Sequence, residues 1–306
     1  MNGVVVIDKP AGLTSHDVVN RVRRILGQRS VGHLGTLDPS ATGVLPVVLG
    51  NLTRLAQFYA HSEKTYEGVI RFGFATDTYD ADGEATTPPQ EVHINCDELR
   101  ALAAQFRGTI EQMPPPFSAK KIAGVPAYKL ARKKQEVVLQ PVQVEIKEFE
   151  ILEATGGPTE AQASFRARVA SGTYIRSVAH EMGQRLGCGA HLASLRRTAA
   201  AEFTIEDSHS LEALEAAMRQ GSAESSLAES SLAESMFVHP RKLVPQLPSV
   251  TANDESAALI RCGRAVNLPE MSRAPQVKVF YGQRDLIAIA TRIAGTLFHP
   301  SIVFSG

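Results

Sequence analysis

Apolar and polar residues follow regular periods in the first part of the chain. Residues 4–7 are continuously apolar, as in a buried strand, and residues 65–74 alternate so that Tyr66 falls on the apolar side. Between these two strands, Thr14 or Ser15 is placed to cap a helix. The apolar face of that helix consists of Val18, Val19, Val22, Ile25 and Leu26. The pattern predicts a strand, a helix and a second strand.

Two more helices are expected before the C-terminal part of the chain. One covers 97–107, beginning at Asp97 and ending before Gly108. The other follows Ser171 and Gly172, carries apolar residues at helical spacing and ends at Gly187. Its apolar positions are Ile175, Val178, Ala179, Met182 and Leu186.

Strands are expected over 142–151 and 162–170, and the first changes phase near Glu148, which indicates a bulge. Further on, a short helix (254–261) precedes a hairpin. The two arms of the hairpin are 277–281 and 286–290. Antiparallel strands mixed with helices predict an α+β fold: a mixed, mainly antiparallel central sheet flanked by helices, with a small β-rich C-terminal domain.

The composition is that of an ordinary globular chain. Its 306 residues are 43% hydrophobic, enough for one large domain and a small second one. No apolar run approaches the roughly 20 residues of a membrane-spanning helix, and the N-terminus lacks the basic flank of a signal peptide. Three widely separated cysteines imply no disulfide framework. We therefore expect a cytoplasmic protein with no membrane association.

The net charge of zero conceals two regions of opposite sign. Residues 206–235 contain seven acids against Arg219 alone, and their 221–235 part repeats a Leu-Ala-Glu-Ser unit that predicts disorder or a frayed helix. Residues 113–140 are too rich in Pro and Lys for a core element, and 120–134 hold six bases and no acid. Such a run is either a solvated surface loop or a contact for phosphates.

Asp38 is the most informative single residue. It lies in a stretch (32–50) of glycines, prolines and apolar residues, where a carboxylate drawn from water is costly unless a cation or donors hold it. Asp-Pro-Ser is also good turn chemistry, and the residues alone favour a turn. Arg176 lies at the start of a predicted helix, where the backbone amides favour anions. By itself it also fits a surface arginine beside a capped helix.

Other motifs fail as sites. Residues 78–89 imitate a calcium loop, but the first position is Thr and the twelfth is Pro. His180, Cys188 and His191 lack the spacing of a zinc site. The acids Asp77, Asp80, Asp82 and Glu84 are expected to form an exposed turn. There is no phosphate-binding loop and no dinucleotide-binding turn, so no cofactor and no metal is expected.

Five separated motifs in 3–205 together resemble one family. They are Lys-Pro followed by Gly-Leu-Thr-Ser (9–15), Gly-His-Leu-Gly-Thr-Leu-Asp-Pro (32–39), Lys-Thr-Tyr (64–66), Ser-Gly-Thr-Tyr-Ile-Arg (171–176) and His-Leu-Ala-Ser-Leu-Arg-Arg (191–197). This pattern is similar to the TruB family of tRNA pseudouridine synthases. Pro-Pro-Pro-Phe-Ser (114–118) matches the start of that family's RNA-contacting insertion.

The resemblance implies roles for individual residues. Asp38 is the expected catalytic aspartate, Arg176 its ion-pair partner, and Tyr66 the ring that stacks on the target base. His33, Tyr174 and Leu195 are expected to contact or enclose the nucleotide. The RNA backbone is expected to meet Lys9, Lys64, Lys120, Lys121, Lys133, Lys134, Arg196 and Arg197.

The resemblance also implies an organisation and a reaction. Residues 1–246 would form a pseudouridine synthase domain, with 113–140 as insertion and 206–235 as an acidic segment, and 247–306 a PUA-like domain. The expected reaction converts uridine 55 in the T arm of tRNA to pseudouridine, on a flipped-out base, by a monomer without guide RNA. The alternatives are a non-catalytic RNA chaperone and a guide-dependent synthase acting on ribosomal RNA. The sequence leaves open whether Asp38 attacks C1′ or promotes loss of a ribose proton.

Overall fold

The computed structural model describes residues 1–117, 139–220 and 234–304, together with the backbone of 121–122 and 125–126. Lys120, Lys133 and Lys134 therefore lie outside the described residues, as do the side chain of Lys121 and most of the 221–235 repeat. The chain divides into two units. The first comprises Met1–Leu37, Val44–Ala60 and Glu202–Gly306, and the second comprises Asp38–Gly43 and His61–Ala201.

The helices in the described residues are α1 (Ser15–Leu26), α2 (Ala56–Tyr59), α3 (Cys96–Ala104), α4 (Ile175–Arg185), α5 (Leu211–Gln220) and α6 (Asp254–Arg261). The strands are β1 (Gly3–Lys9), β2 (Val31–His33), β3 (Thr42–Leu49), β4 (Lys64–Phe72), β5 (Gly108–Gln112), β6 (Lys121–Ile122), β7 (Val125–Pro126), β8 (Val142–Thr155), β9 (Gln162–Val169), β10 (Ala190–Ala200), β11 (Phe203–Thr204), β12 (Ser208–His209), β13 (Ser249–Ala252), β14 (Val266–Asn267), β15 (Gln276–Tyr281), β16 (Asp285–Ala294) and β17 (Leu297–Val303). Short 3-10 turns cover Gly50–Leu55, Ile205–Asp207 and Pro240–Lys242. None of the helices in the described ranges is long and apolar enough to cross a membrane.

In the first unit, β1 lies between β12 and β3, and β2 pairs antiparallel with β3. Helix α1 begins with a capping box, in which the Thr14 side chain accepts from the Asp17 amide and the Asp17 carboxylate accepts from Thr14. The cap is therefore Thr14, and Ser15 is the first helical residue. Part of the acidic 206–235 segment is folded, because α5 buries Leu211, Leu214 and Ala217.

The first unit also contains a five-stranded sheet in the order β13–β15–β16–β17–β14, packed with α6 around a common apolar core. The predicted hairpin is confirmed, since β15 and β16 pair antiparallel on either side of Gly282. Helix α6 covers the predicted range 254–261 and is capped by Asn253.

The second unit is built on the strand order β10–β4–β9–β8–β5, all antiparallel pairs. Its β10 also pairs in parallel with Thr42 and Gly43, the first residues of β3. The bulge predicted near Glu148 is present, as a register shift between Ile146 and Glu148. With both directions of pairing and helices alongside, the predicted α+β class is confirmed.

Helix α3 differs from the predicted 97–107 at both ends. It begins at Cys96, because the Asn95 side chain caps it by accepting from the Asp97 amide. It ends at Ala104, and 105–107 continue as turns that close on residues 102–104 before Gly108 takes a positive φ of 91°.

Candidate active site

Asp38 lies in a turn immediately before β3. The Ala41 amide donates to the Asp38 carbonyl oxygen at 3.2 Å, so the turn is closed by the backbone. The carboxylate is 40% exposed and directed at a guanidinium. Both readings of Asp38 from sequence are therefore met at once, since the main chain forms the turn and the side chain forms an ion pair.

The guanidinium belongs to Arg176, in the first turn of α4. Its Nε lies 3.0 Å from Oδ2 of Asp38, and its Nη2 donates to Oδ1 at 3.3 Å. The arginine side chain is only 6% exposed. A buried cation in two-point contact orients a carboxylate and compensates its partial desolvation. The surface-arginine reading of Arg176 is thereby wrong.

Three further acceptors surround the same guanidinium. Nη1 donates to the Thr78 carbonyl at 3.0 Å and lies 3.4 Å from Oδ2 of Asp80, and Nη2 donates to the Phe117 carbonyl at 3.0 Å. Two of these acceptors belong to the 78–80 turn and the third to Phe117. These contacts hold the guanidinium in one position, so it stays there when a single carboxylate moves.

Asp80 is a site residue that the sequence reasoning missed. It was expected in an exposed turn, and this is wrong for Asp80, whose side chain is 10% exposed, although Asp82 and Glu84 are exposed. Its Oδ1 accepts from the Thr78 hydroxyl at 2.6 Å and from the Asp82 amide at 3.1 Å. The Thr-x-Asp-x-Asp spacing of a carboxylate-closed turn was the available signal.

The environment of Asp80 acts on its protonation. Burial raises the pKa of the Asp80 carboxyl, against the opposing effects of the Thr78 hydroxyl, Arg176 and the Asp82 amide. The nearby charge of Asp38 adds to the rise. The carboxylates of Asp38 and Asp80 therefore share one guanidinium. Asp80 is the more buried of the two, and its pKa is raised above the ordinary aspartate value.

A small pocket opens over this ion-pair network. Its lining includes Asp38, Asp80, Arg176 and Leu195, and it is completed by Ser40, Ala41, Ala81, Leu192, Ala193 and Ser194. All of these residues belong to the second unit. The pocket thus joins apolar side chains of β10, Leu195 among them, to the charged groups of the ion-pair network.

Tyr66 is brought near this pocket by strand register. In the antiparallel pair of β4 and β10, Tyr66 lies opposite Arg197 and Gly68 lies opposite Leu195. Residues opposite each other project from the same face of a sheet, so Tyr66 and Leu195 share one face. Tyr66 is buried there, as the alternation of 65–74 predicted.

Tyr174 is held by its backbone at the start of α4. The buried Gln112 side chain accepts from the Tyr174 amide at 2.8 Å and donates to the Tyr174 carbonyl at 3.1 Å. The Ser177 hydroxyl donates to the Met113 carbonyl at 2.7 Å. These bonds fasten the end of β5 to the first turn of α4, and sequence reasoning did not identify Gln112.

The residues expected to contact the RNA backbone divide into buried and accessible side chains. Lys9 is fully buried, with Nζ donating to the carbonyls of Pro10 and Leu13, and Arg197 is also fully buried. Neither side chain is exposed in this structure, and their assignment to the RNA backbone stays a prediction. Lys64, half-buried with Nζ on the Ser62 carbonyl, and half-buried Arg196 remain candidates.

Lys64 has an unusual environment for a phosphate contact. Burial, and then the positive charge of Arg197, lower the pKa of Lys64 to about 8.

His33, half-buried at the end of β2, lies in the first unit.

Family models match two consecutive parts of the chain. Residues 23–175 match the TruB family pseudouridylate synthase N-terminal domain, and residues 176–236 match the tRNA pseudouridylate synthase B C-terminal domain. Every residue named above in the pocket lies within these two ranges.

Curated relatives and solved structures agree with the family models. A tRNA pseudouridine synthase B of Solibacter usitatus (strain Ellin6076) is 46% identical over 306 residues, covering 99% of this chain and 100% of the relative. That of Bacillus cytotoxicus is 38% identical, covering 94% and 92%. A chain in the "Crystal Structure of a Cbf5-Nop10-Gar1 Complex" superposes with a TM-score of 0.71 at 26% identity, covering 99% of this chain and 85% of its own.

Proposed function

The chain belongs to the TruB family of pseudouridylate synthases and is a tRNA pseudouridine synthase, and from this premise we propose that it acts on uridine 55 with Asp38 as the catalytic group. The reaction breaks the bond from N1 of uracil to C1′ of ribose, turns the base and joins its C5 to C1′. The proton on C5 is then released to solvent and N1, no longer bonded to ribose, takes up a proton. The overall reaction is an isomerisation without redox change.

The observation that carries the proposal is the two-point contact between Asp38 and the buried guanidinium of Arg176 at the floor of a pocket. Chemistry at C1′ needs a carboxylate with fixed direction, either to attack C1′ or to promote loss of a ribose proton. Arg176 supplies the orientation, and partial exposure of Asp38 leaves it accessible to a ribose.

The base must leave its helical stack before it can enter such a pocket, at a cost of a few kcal/mol. We assign Tyr66 as the stacking ring and Leu195 as the apolar wall of the uracil pocket, because they share one face of the sheet. Tyr174 and His33 are assigned to the nucleotide as the family resemblance implies.

Contacts between the protein and the RNA backbone would offset the free-energy cost of extruding the base. We assign these contacts to Lys64, Arg196 and the four lysines of the insertion: Lys120, Lys121, Lys133 and Lys134. Neutralising Lys133 and Lys134 together is expected to weaken tRNA binding and to reduce the slope of log Kd against log salt by about 1–2. An unchanged slope would remove both residues from the contact surface.

Tritium release tests the function directly. The substrate is a tRNA transcript carrying uridine tritiated at C5, and the control transcript has cytidine in place of uridine 55. Wild-type protein is expected to release tritium from the transcript that carries uridine 55 and not from the control transcript. Asp38→Asn is expected to release tritium from neither transcript. The matched control is Asp82→Asn, an exposed acid near the pocket, which should retain activity. Activity in Asp38→Asn, or equal release from both transcripts, would overturn the assignment.

A guide-dependent synthase is the second candidate, because solved neighbours include a chain in the "Structure of H/ACA RNP bound to a substrate RNA containing 2'-deoxyuridine", at 25% identity and a TM-score of 0.70. The higher identity to curated relatives named tRNA pseudouridine synthase B favours action by the protein alone. Release of tritium from free tRNA by the purified monomer, with no other RNA present, distinguishes the two candidates.

A further inference from the structure

Tyr79 has a backbone conformation that tyrosine rarely adopts. Its φ is +66°, in the left-handed region. The residues on either side of it, Thr78 and Asp80, both contact the guanidinium of Arg176. A strained residue between two groups that hold a catalytic ion pair needs a specific interaction to keep it in place.

That interaction is a ring stack with His180. The two rings are parallel within 11°, with centroids 3.8 Å apart. His180 lies four residues after Arg176 on α4, so both side chains project from one face of the helix. The Gln184 side chain, a further turn along, lies 3.0 Å from Nε2 of His180 and helps to hold the ring.

The stack and the guanidinium therefore fasten the same turn to the same helix face. Backbone bonds link this turn to β10, since the Leu192 amide donates to the Tyr79 carbonyl at 2.9 Å and the Ala81 amide donates to the Leu192 carbonyl at 3.0 Å. The stack adds a side-chain contact to these backbone bonds, and together they keep Tyr79 at its positive φ.

We propose that Tyr79 and His180 form a clamp that positions Thr78 and Asp80 against Arg176 and thereby sets the orientation of Asp38. For its effect on catalysis, this inference rests on the proposed function. Neither ring is part of the pocket lining described above. Both are positioning residues, acting through Arg176 on the carboxylate.

The kinetic test separates chemistry from binding. His180→Ala and Tyr79→Ala are expected to lower the single-turnover rate of tritium release by about ten- to a hundredfold, because small displacements of a reacting group have effects of that size. The Kd for tRNA should stay within about twofold of wild type, since neither residue is assigned to RNA. His180→Phe and Tyr79→Phe retain stacking rings and should restore the rate.

A wild-type rate in His180→Ala would overturn the clamp. So would an equal loss in His180→Ala and His180→Phe, because the ring stack would then not be the cause. In an Asp80→Asn background, His180→Ala should have little additional effect, and a full additive loss would place its action elsewhere.

Amide hydrogen exchange tests the clamp independently of activity. The amides of Ala81 and Leu192 should exchange faster in His180→Ala and return towards wild-type protection in His180→Phe. If wild-type protein released no tritium, the proposed function would fail while exchange still decided the clamp. Unchanged exchange in a folded His180→Ala protein would overturn it.

Discussion

Arg176 and Asp38 lie face to face, with Nε 3.0 Å from Oδ2 and Nη2 3.3 Å from Oδ1. The same guanidinium reaches Asp80, Thr78 and Phe117, so one planar group contacts two carboxylates and two carbonyls. An ammonium group has no fork of fixed donors and cannot make these contacts together.

We therefore expect Arg176→Lys to lower the single-turnover rate by roughly a hundredfold or more, although the positive charge is kept. Stability should also fall, by roughly 1–3 kcal/mol for each buried acceptor that loses its donor, because one ammonium group cannot serve the Thr78 and Phe117 carbonyls together with both carboxylates. The matched control is Arg185→Lys, on the exposed side of the same helix, where it pairs with Glu181. A rate within threefold of wild type in Arg176→Lys would contradict the role of the two-point contact.

Asp80→Asn is expected to reduce the rate by about tenfold and to flatten its acid dependence. The amide keeps the size of the side chain but removes one of the two charges that hold Arg176. Because burial raises the pKa of the Asp80 carboxyl, we expect its protonation to contribute to the loss of wild-type activity as the pH falls.

The pH dependence of single-turnover rates measures this difference. Asp77→Asn provides a control in the same turn, since its Oδ1 accepts from the Glu84 amide, and an asparagine oxygen can accept the same bond. If Asp80→Asn kept the wild-type acid limb, another group would be responsible for it.

Local patterns account for the elements that sequence predicted well. The capped start of α1, the hairpin around Gly282 and the bulge at Glu148 are each encoded within a few residues. Strand β10 was not predicted, because register shifts after Leu192 and Arg197 break its alternation. Periodicity cannot identify a strand whose phase changes twice in eleven residues.

Local sequence patterns also fail to identify site residues whose partners are distant in sequence. The pairing of Asp38 with Arg176 came from family resemblance and was then met by the geometry. Asp80 was missed because its partner is 96 residues away in sequence and its neighbours Asp82 and Glu84 are exposed. Burial of one acid within an acidic turn depends on tertiary packing that no local pattern reports.

Lys64 is expected to make stability rise with pH in a defined window. Its pKa is about 8 in the folded protein, lowered chiefly by burial, against 10.5 for the ordinary group. Between these values the unfolded chain binds more protons than the folded one, so the contribution of Lys64 to the unfolding free energy increases as pH rises. Below about pH 8 both states are protonated and this contribution is constant.

Urea unfolding between pH 7.5 and 10.5 measures the effect. Lys64→Met should reduce the rise in unfolding free energy over that range, whereas Lys242→Met, at an exposed position, should leave it as in wild type. Lys278, whose pKa burial also lowers, contributes its own rise and remains in both variants. Equal slopes in wild type and Lys64→Met would contradict the burial of its ammonium group.

Alanine substitutions at Gly43 and Gly108 distinguish the cost of backbone strain from the cost of a steric clash. Both have a positive φ, of 100° and 91°. A Cβ on Gly43 would lie 2.2 Å from the carbonyl oxygen of Arg197, whereas a Cβ on Gly108 would have nothing within 4 Å. Gly108→Ala should therefore cost only the strain of its conformation, of order 1–3 kcal/mol. Gly43→Ala adds a clash with the backbone of β10, which cannot move away without breaking its pairing with β4.

We expect Gly43→Ala to lose more than about 4 kcal/mol, the range reached by severe core disruption. Denaturant unfolding of both variants gives the comparison, and the difference between them isolates the steric part. Since Gly43 follows Asp38 by five residues and pairs with Arg197, two residues after Leu195, a folded Gly43→Ala protein would also have to shift the pocket. Equal destabilisation by the two substitutions would mean that β3 and β10 do not approach as closely as the Gly43–Arg197 contact requires.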